Sequence, residues 1–321
     1  MIRLSPAMTW SRRDAEVFVH GETQILLVSD CPPDVDAMMR LLVRGCDSTA
    51  FAGLDIETSC VTGILEILRE ANCLIDVSSD RWAGTALERQ ADYFAALGAD
   101  PDEVHANLGT ATVALLGLGG IGSMTLAHLV SAGLQRFTLV DGDVVQIHNL
   151  NRQFLYRPSD VGRRKVDAVA DWVRERHPTA VIRSVPRMIT EQSELTSLLG
   201  EHTALLVQAA DSPSDIALLA AQACLATGTP LISADCGLRT ASWGPLVETA
   251  DLQTHTSALL ERRGRAPVPP AAQAMSASFG PTNAIVASYL AKEILSWFAG
   301  LPVASRGVKV VVDLDQFRRL Q

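Results

Sequence analysis

The chain has 321 residues, of which 48% are hydrophobic and 20% charged, and its formal net charge is −9. That length suits one large α/β domain plus a smaller one, and an acidic balance with no basic stripe argues against generic nucleic-acid binding, which draws on clustered Lys and Arg. No apolar run approaches the roughly 18 residues of a membrane span, and the N-terminus MIRLSPAMTWSRRDAEVF lacks a signal-peptide core, so a cytoplasmic protein with no membrane partner is expected.

Residues 1–80 read as a small winged-helix-like α+β module. EVFVHGETQILLVS predicts a hairpin turning at His20-Gly21-Glu22. PPDVDAMMRLL puts Val35, Met38, Met39 and Leu42 on one helical face. CVTGILEILREANCLID adds a second helix, with Ile64, Leu65, Ile67 and Leu68, running into an apolar strand. Such a module can serve packing or dimerisation, or it can pair a partner's strand with an exposed sheet edge. Residues 81–110 are polar and helix-prone, and read as a connector.

A larger domain is expected over 111–321. Its apolar run Val113 to Leu116 feeds a turn with Gly117, Gly119, Gly120 and Gly122. A helix-like stretch and a second run, Phe137 to Val140, then lead to Asp141. This is a β-α-β nucleotide-binding unit. Glycines let the backbone approach phosphate at a helix N-terminus, and an acid about 20 residues on can bind ribose hydroxyls.

Further strands are predicted at 180–185, 204–209, 230–234 and 308–312, with helices over 165–176 and 214–226. The alternation implies a doubly wound, mostly parallel Rossmann-like sheet with its ligand at the strands' C-terminal ends. Residues 250–275, rich in Pro and Arg, read as part of a crossover loop spanning about 240–278. PTNAIVASYLAKEILSWFAG predicts a closing helix with an apolar face.

Glycines alone would suit a dinucleotide. The polar set that follows, Asn149, Arg152, Gln153 and Lys165, suits a triphosphate better. Activating a carboxylate by attack on the α-phosphate needs positive charge there, usually Arg and Mg²⁺. Arg152 can supply the first, and Asp211, ending the run ALLVQAAD, can bind the second. Asp-Ser-Pro also starts a helix well, so Asp211 can be an N-cap as well as a metal ligand.

GLGGIG, VDGDVVQIHNLNRQ, GRRK and AADSPSD resemble the motifs of the ThiF/MoeB-type adenylyltransferases, the fold shared with ubiquitin-activating enzymes, over residues from about 88 to 300. NLNRQ, with Lys165 twelve positions beyond Gln153, is far more specific than the glycines. The resemblance implies that Asp141 binds ribose, that Asn149, Arg152 and Lys165 contact the phosphates of ATP, that Gln153 shapes the site and that Asp211 coordinates Mg²⁺. It also implies a homodimer in which Arg89, of the pair Arg89-Gln90, reaches the other subunit's triphosphate.

Three departures qualify the resemblance. The two CxxC pairs that hold zinc in most sulfur-carrier enzymes of the family are missing, so no zinc is expected. No cysteine lies beyond Cys236, and His148 stands where many relatives have Ser. Cys31, Cys46, Cys60, Cys73, Cys224 and Cys236 are scattered and read most simply as small buried residues; a catalytic thiol at Cys236 or Cys224 would need an exposed, electropositive setting.

An N-terminal module ahead of a zinc-free adenylation domain resembles the peptide-modifying members, in which microcin C-type enzymes adenylate the C-terminal carboxyl of a precursor peptide gripped by an N-terminal clamp. The expected function is therefore Mg·ATP-dependent adenylation of a carboxylate on a ribosomally made peptide. The alternatives are a leader-peptide-binding partner of a cyclodehydratase, an activator of a small sulfur-carrier protein, and a nicotinamide-dependent oxidoreductase, which would not need the Asn-Arg-Gln and Lys set.

Overall fold

The structure, a computed structural model, describes residues 1–77, 81–265, 277–316 and 318–320. The chain divides into two compact units, Met1–His105 and Ala106–Gln321.

The first unit contains β1 (Ile2–Leu4), β2 (Thr9–Arg13), β3 (Glu16–His20), β4 (Ile25–Val28), α1 (Val35–Arg44), α2 (Thr58–Glu70), β5 (Leu74–Asp76) and α3 (Glu88–Ala96). β2, β3 and β4 form an antiparallel meander, and β1 pairs with β5. Alternation drives this sheet: Val17 and Val19 point into the core. They meet the predicted face of α1, where Val35, Met38, Met39 and Leu42 are wholly buried. β1 and β2 had no sequence expectation, because four of the five residues of β2 are exposed and leave no apolar alternation to read. β4 is an edge strand with Ile25 and Leu27 exposed.

α3, expected within a connector, is fastened inside this unit by the Arg3–Asp92 ion pair at 2.9 Å. Gln90 faces inward. His105 Nδ1 lies 2.6 Å from the Pro101 carbonyl and must donate to it, so Nε2 accepts from the Gln90 amide at 3.2 Å. Arg89, one position earlier, is exposed.

α4 (Pro101–Thr110) carries the chain into the second unit. There follow β6 (Thr112–Leu116), α5 (Gly120–Ser131), β7 (Arg136–Val140), α6 (Lys165–Arg176), β8 (Val181–Val185), α7 (Gln192–Leu198), β9 (Thr203–Gln208), α8 (Ile216–Thr227), β10 (Leu231–Cys236), β11 (Thr240–Val247), α9 (Leu252–Arg265), α10 (Gly280–Phe298), β12 (Val310–Asp313) and β13 (Arg318–Leu320). The strands make one sheet in the order β13-β12-β11-β10-β9-β6-β7-β8. β8, β7, β6, β9 and β10 are parallel, and β11 to β13 extend the sheet antiparallel. From β6 the chain winds to β7 and β8 on one side, then returns to β9 and β10 on the other. The switch point therefore lies between β6 and β9, where α/β sheets open a crevice at their C-terminal ends.

The stretch read as a crossover loop is partly regular structure. Thr240–Val247 is β11, and Gly244-Pro245, which looks like a break, falls where the β10–β11 register shifts and two residues oppose Ser233. Leu252–Arg265 is a helix. Its buried stripe is one residue wide, Leu252 and Thr256 with half-buried Leu259, too narrow to register as amphipathic in a charged segment. Residues 266–276 of that expected loop lie outside the described residues.

Candidate active site

The turn after β6 is shaped by close backbone approaches. Gly117 has φ +92°, and a Cβ there would lie 2.7 Å from the Ala210 nitrogen, so only glycine lets the end of β6 lie against the chain leaving β9. A Cβ on Gly122 would run into the Gly117 carbonyl. Gly119, by contrast, faces open space, with Gln153 Nε2 at 3.9 Å from its added Cβ. α5 thus begins with its N-terminal amides beside an open cradle, the arrangement that receives phosphate.

Leu118 is held from both sides. Its N–H donates to Asp141 Oδ2 at 2.7 Å, and its carbonyl accepts the Tyr156 hydroxyl at 2.8 Å. Asp141 Oδ1 also accepts the Asp143 N–H at 2.8 Å. Burial pushes the Asp141 carboxyl above its ordinary range, opposed by the Lys165 charge and by these two amides. The Tyr156 hydroxyl is driven well up by burial and by the neighbouring carboxylates of Asp141, Asp143 and Asp160, so it stays a donor.

Lys165 opens α6 with its side chain almost wholly buried, and Nζ donates to Asp143 Oδ2 at 2.8 Å. Its backbone N–H also donates to the Asp143 carbonyl at 3.0 Å. Asp143 therefore ties Asp141 to Lys165. Neither Asp143 nor Tyr156 was expected from the sequence; the second acid of VDGD was the available signal, and nothing in the apolar end of NRQFLY marks its tyrosine.

The predicted polar motif forms a short 3₁₀ turn, Ile147–Asn149. Asn149 is buried and its Oδ1 accepts the Gln146 N–H at 2.9 Å, which fixes the turn. Arg152 Nη1 donates to the His148 carbonyl at 2.7 Å and to Asn151 Oδ1 at 3.1 Å. His148 itself is exposed. Gln153 is buried, with Oε1 lacking a hydrogen-bond partner among the described residues. A buried amide oxygen left open beside a glycine turn invites a ligand donor.

Asp211 follows β9 and is exposed. It is not a helix cap: α8 starts at Ile216 with Asp215 in the N-cap position. Among the described residues there is no trio of His, Cys, Asp and Glu arranged for a metal. Neither cysteine has the setting of a nucleophile. Cys224 is fully buried, and burial pushes its thiol up to about 12. Cys236 is half-buried; burial and the charges of Asp235 and Asp211 raise its thiol as well.

The sequence profile of the ThiF family matches residues 87–319. The chain belongs to the ThiF family. Among curated proteins, this ThiF-family chain is similar to adenylyltransferase and sulfurtransferase uba4 of Aspergillus terreus, at 34% identity over 137 residues, 41% of this chain and 27% of uba4. It is similar to the molybdopterin-synthase adenylyltransferase of Escherichia coli at 35% identity over 121 residues, 38% of this chain and 47% of that protein. The chain thus spans less than half the length of the curated relatives it matches. In fold it resembles E. coli MccB solved with AMPCPP and MccA, with a TM-score of 0.77 at 20% identity, covering 99% of this chain and 95% of MccB. No helix of the described residues is long and apolar enough to cross a membrane.

Proposed function

We propose that this ThiF-family protein is an ATP-dependent adenylyltransferase that activates a carboxylate of a ribosomally made precursor peptide. A carboxylate oxygen of the peptide bonds to the α-phosphorus of ATP, the bond from that phosphorus to the bridging oxygen breaks, and pyrophosphate leaves. The carboxyl carbon, now an acyl adenylate, is open to an amide, amine or thiol nucleophile. The observation that carries the reading is the open cradle at Gly119, with the Leu118 peptide held by Asp141 and Tyr156 and with Lys165 tied in beside Asp141.

Each residue has a part in this reading. The α5 N-terminal amides and Lys165 bind phosphates, Arg152 neutralises charge as the α-phosphate is attacked, and Asn149 holds the turn that carries Arg152. Asp141 keeps acceptor capacity for a ribose hydroxyl beyond the two amides it already holds. Gln153 offers its open amide oxygen. Magnesium binds few protein carboxylates and takes its other oxygens from phosphates and water, so exposed Asp211 fits it and the lack of an acidic trio is no obstacle. When bound, the ion would add Lewis-acid stabilisation of phosphate charge. Arg89, exposed on α3, is free to reach a second copy's triphosphate in a homodimer.

Peptide as substrate is supported by the extent of the likeness: the MccB fold covers 99% of the chain, while the curated relatives align over about 40%. The edge strand β4, with Ile25 and Leu27 exposed, can pair an extended peptide. The curated relatives, at 34–35% identity, support a second reading in which the carboxylate belongs to a small carrier protein.

ATP–pyrophosphate exchange on purified protein, with candidate peptides or a carrier protein, tests both readings. Peptide-dependent exchange that disappears in Asp211→Ala and Arg152→Ala supports the proposal. Exchange that only a carrier protein elicits selects the second reading. Tight peptide binding with no exchange would make the chain a leader-binding partner instead.

A further inference from the structure

α10 begins in the middle of the candidate site, and two glycines record how closely. A Cβ on Gly280 would lie 2.9 Å from the Asn151 carbonyl, 3.3 Å from the Phe154 ring and 3.6 Å from the Arg152 Cα. A Cβ on Gly120, the first residue of α5, would lie 2.7 Å from Asn283 Oδ1. The first turn of α10 is therefore packed between the loop that carries Arg152 and the glycine turn.

Asn283 is 4% exposed, and its amide is used on both sides. Nδ2 donates to the Phe279 carbonyl at 2.7 Å and to Ser278 Oγ at 3.0 Å, closing the entry into α10. Oδ1 accepts the Cys236 thiol at 3.6 Å from the C-terminal end of β10. One side chain thus fastens α10 to its preceding segment and to β10, and packs against the start of α5. We infer that Asn283 is a positioning residue that sets where the glycine turn stands against the Arg152 loop, and that Cys236 serves as its hydrogen-bond donor rather than as a nucleophile.

This inference deepens the adenylation reading and rests on it for its kinetic consequence. Asn283 acts through Gly120, against which its amide is packed. Because the glycine turn binds phosphates before and during attack, displacing it weakens ATP binding more than it slows the chemical step.

The contact is also readable without activity. In Asn283→Ala, Cys236 loses its acceptor and a covering side chain, so alkylation of Cys236 by iodoacetamide, mapped by mass spectrometry on the full folded chain, should quicken about tenfold. In exchange assays the same variant should raise KM for ATP about tenfold with kcat changed less than about threefold. Gly120→Ala should be worse than Asn283→Ala, because its methyl meets an amide held by three hydrogen bonds, and Gly120→Ala/Asn283→Ala should recover part of the loss. Circular dichroism establishes that each variant is folded, and a general loss of stability would not produce the recovery. Unchanged Cys236 alkylation in a folded Asn283→Ala, or a double variant no better than Gly120→Ala, would overturn the inference. Altered alkylation in a protein whose parent shows no exchange would support the contact and sink the adenylation reading alone.

Discussion

The crevice between β6 and β9 has a closed side and an open side. On the closed side, toward β7, these polar groups have internal partners: Lys165 meets Asp143, Asp141 meets two amides, and the Tyr156 hydroxyl meets the Leu118 carbonyl. On the open side, past β9, Asp211 is exposed and makes no hydrogen bond or ion pair among the described residues. The difference follows from burial. A charge taken out of water must be paired or it shifts its protonation, whereas a carboxylate left in water carries no such requirement and can wait for a cation. The closed side is thus set by folding, and on the proposed reading the open side is left for a ligand to complete.

The two sides should therefore fail differently. The largest effect is expected from Asp211→Ala: exchange falls on the order of a hundredfold to a thousandfold, while the melting temperature stays within about 2 °C because an exposed group contributes little to folding. A large drop in melting temperature would erase the contrast. Tyr156→Phe tests the closed side. It strands the buried Leu118 carbonyl, so chemical denaturation should show a loss of about 1–2 kcal/mol, together with a higher KM for ATP. An unchanged denaturation midpoint would show that the hydroxyl holds nothing.

Smaller is Asp143→Asn. Asp143 is itself mostly exposed, so solvent screens the pair on its side, and Asn keeps an amide oxygen to accept from the buried Lys165 Nζ; the readout is a modest rise in KM for ATP as Lys165 loses its charged tether. The smallest effect concerns the thiols. Cys224 is pushed up to about 12 in the folded chain, above its unfolded value of 9.0. Its contribution to stability is complete below the unfolded value and is lost as pH rises through the folded one. Native protein should leave Cys224 unalkylated from pH 7 to pH 9 and expose it only on denaturation, with no change in melting temperature across that window from this group. Modification of Cys224 in folded protein would place an opening in the core beneath α8.

Much of this architecture was legible because its signals are local. The glycine turn, the apolar strand runs and the 3.6-residue stripe of α1 each lie within a short window, and each formed as expected. β2 was illegible because a mostly solvated strand shows no alternation. β11 and α9 were illegible because Gly244-Pro245 and a charged helix with one buried stripe look like loop until their partners are known. Within the site, Lys165 and Asp141 could be named from motif spacing, but their mutual link through Asp143 could not, since it depends on how the loop after β7 folds back on α6.

The sequence by itself determined the elements that build the crevice and the polar groups gathered at its motifs, because periodicity and turn chemistry act over a few residues. Only the tertiary structure decided which of those groups are already engaged. The Tyr156–Leu118 bond joins residues 38 apart, and the Cys236–Asn283 bond joins residues 47 apart. Such pairings exist only once the sheet has brought its strand ends together, so no window of sequence contains them.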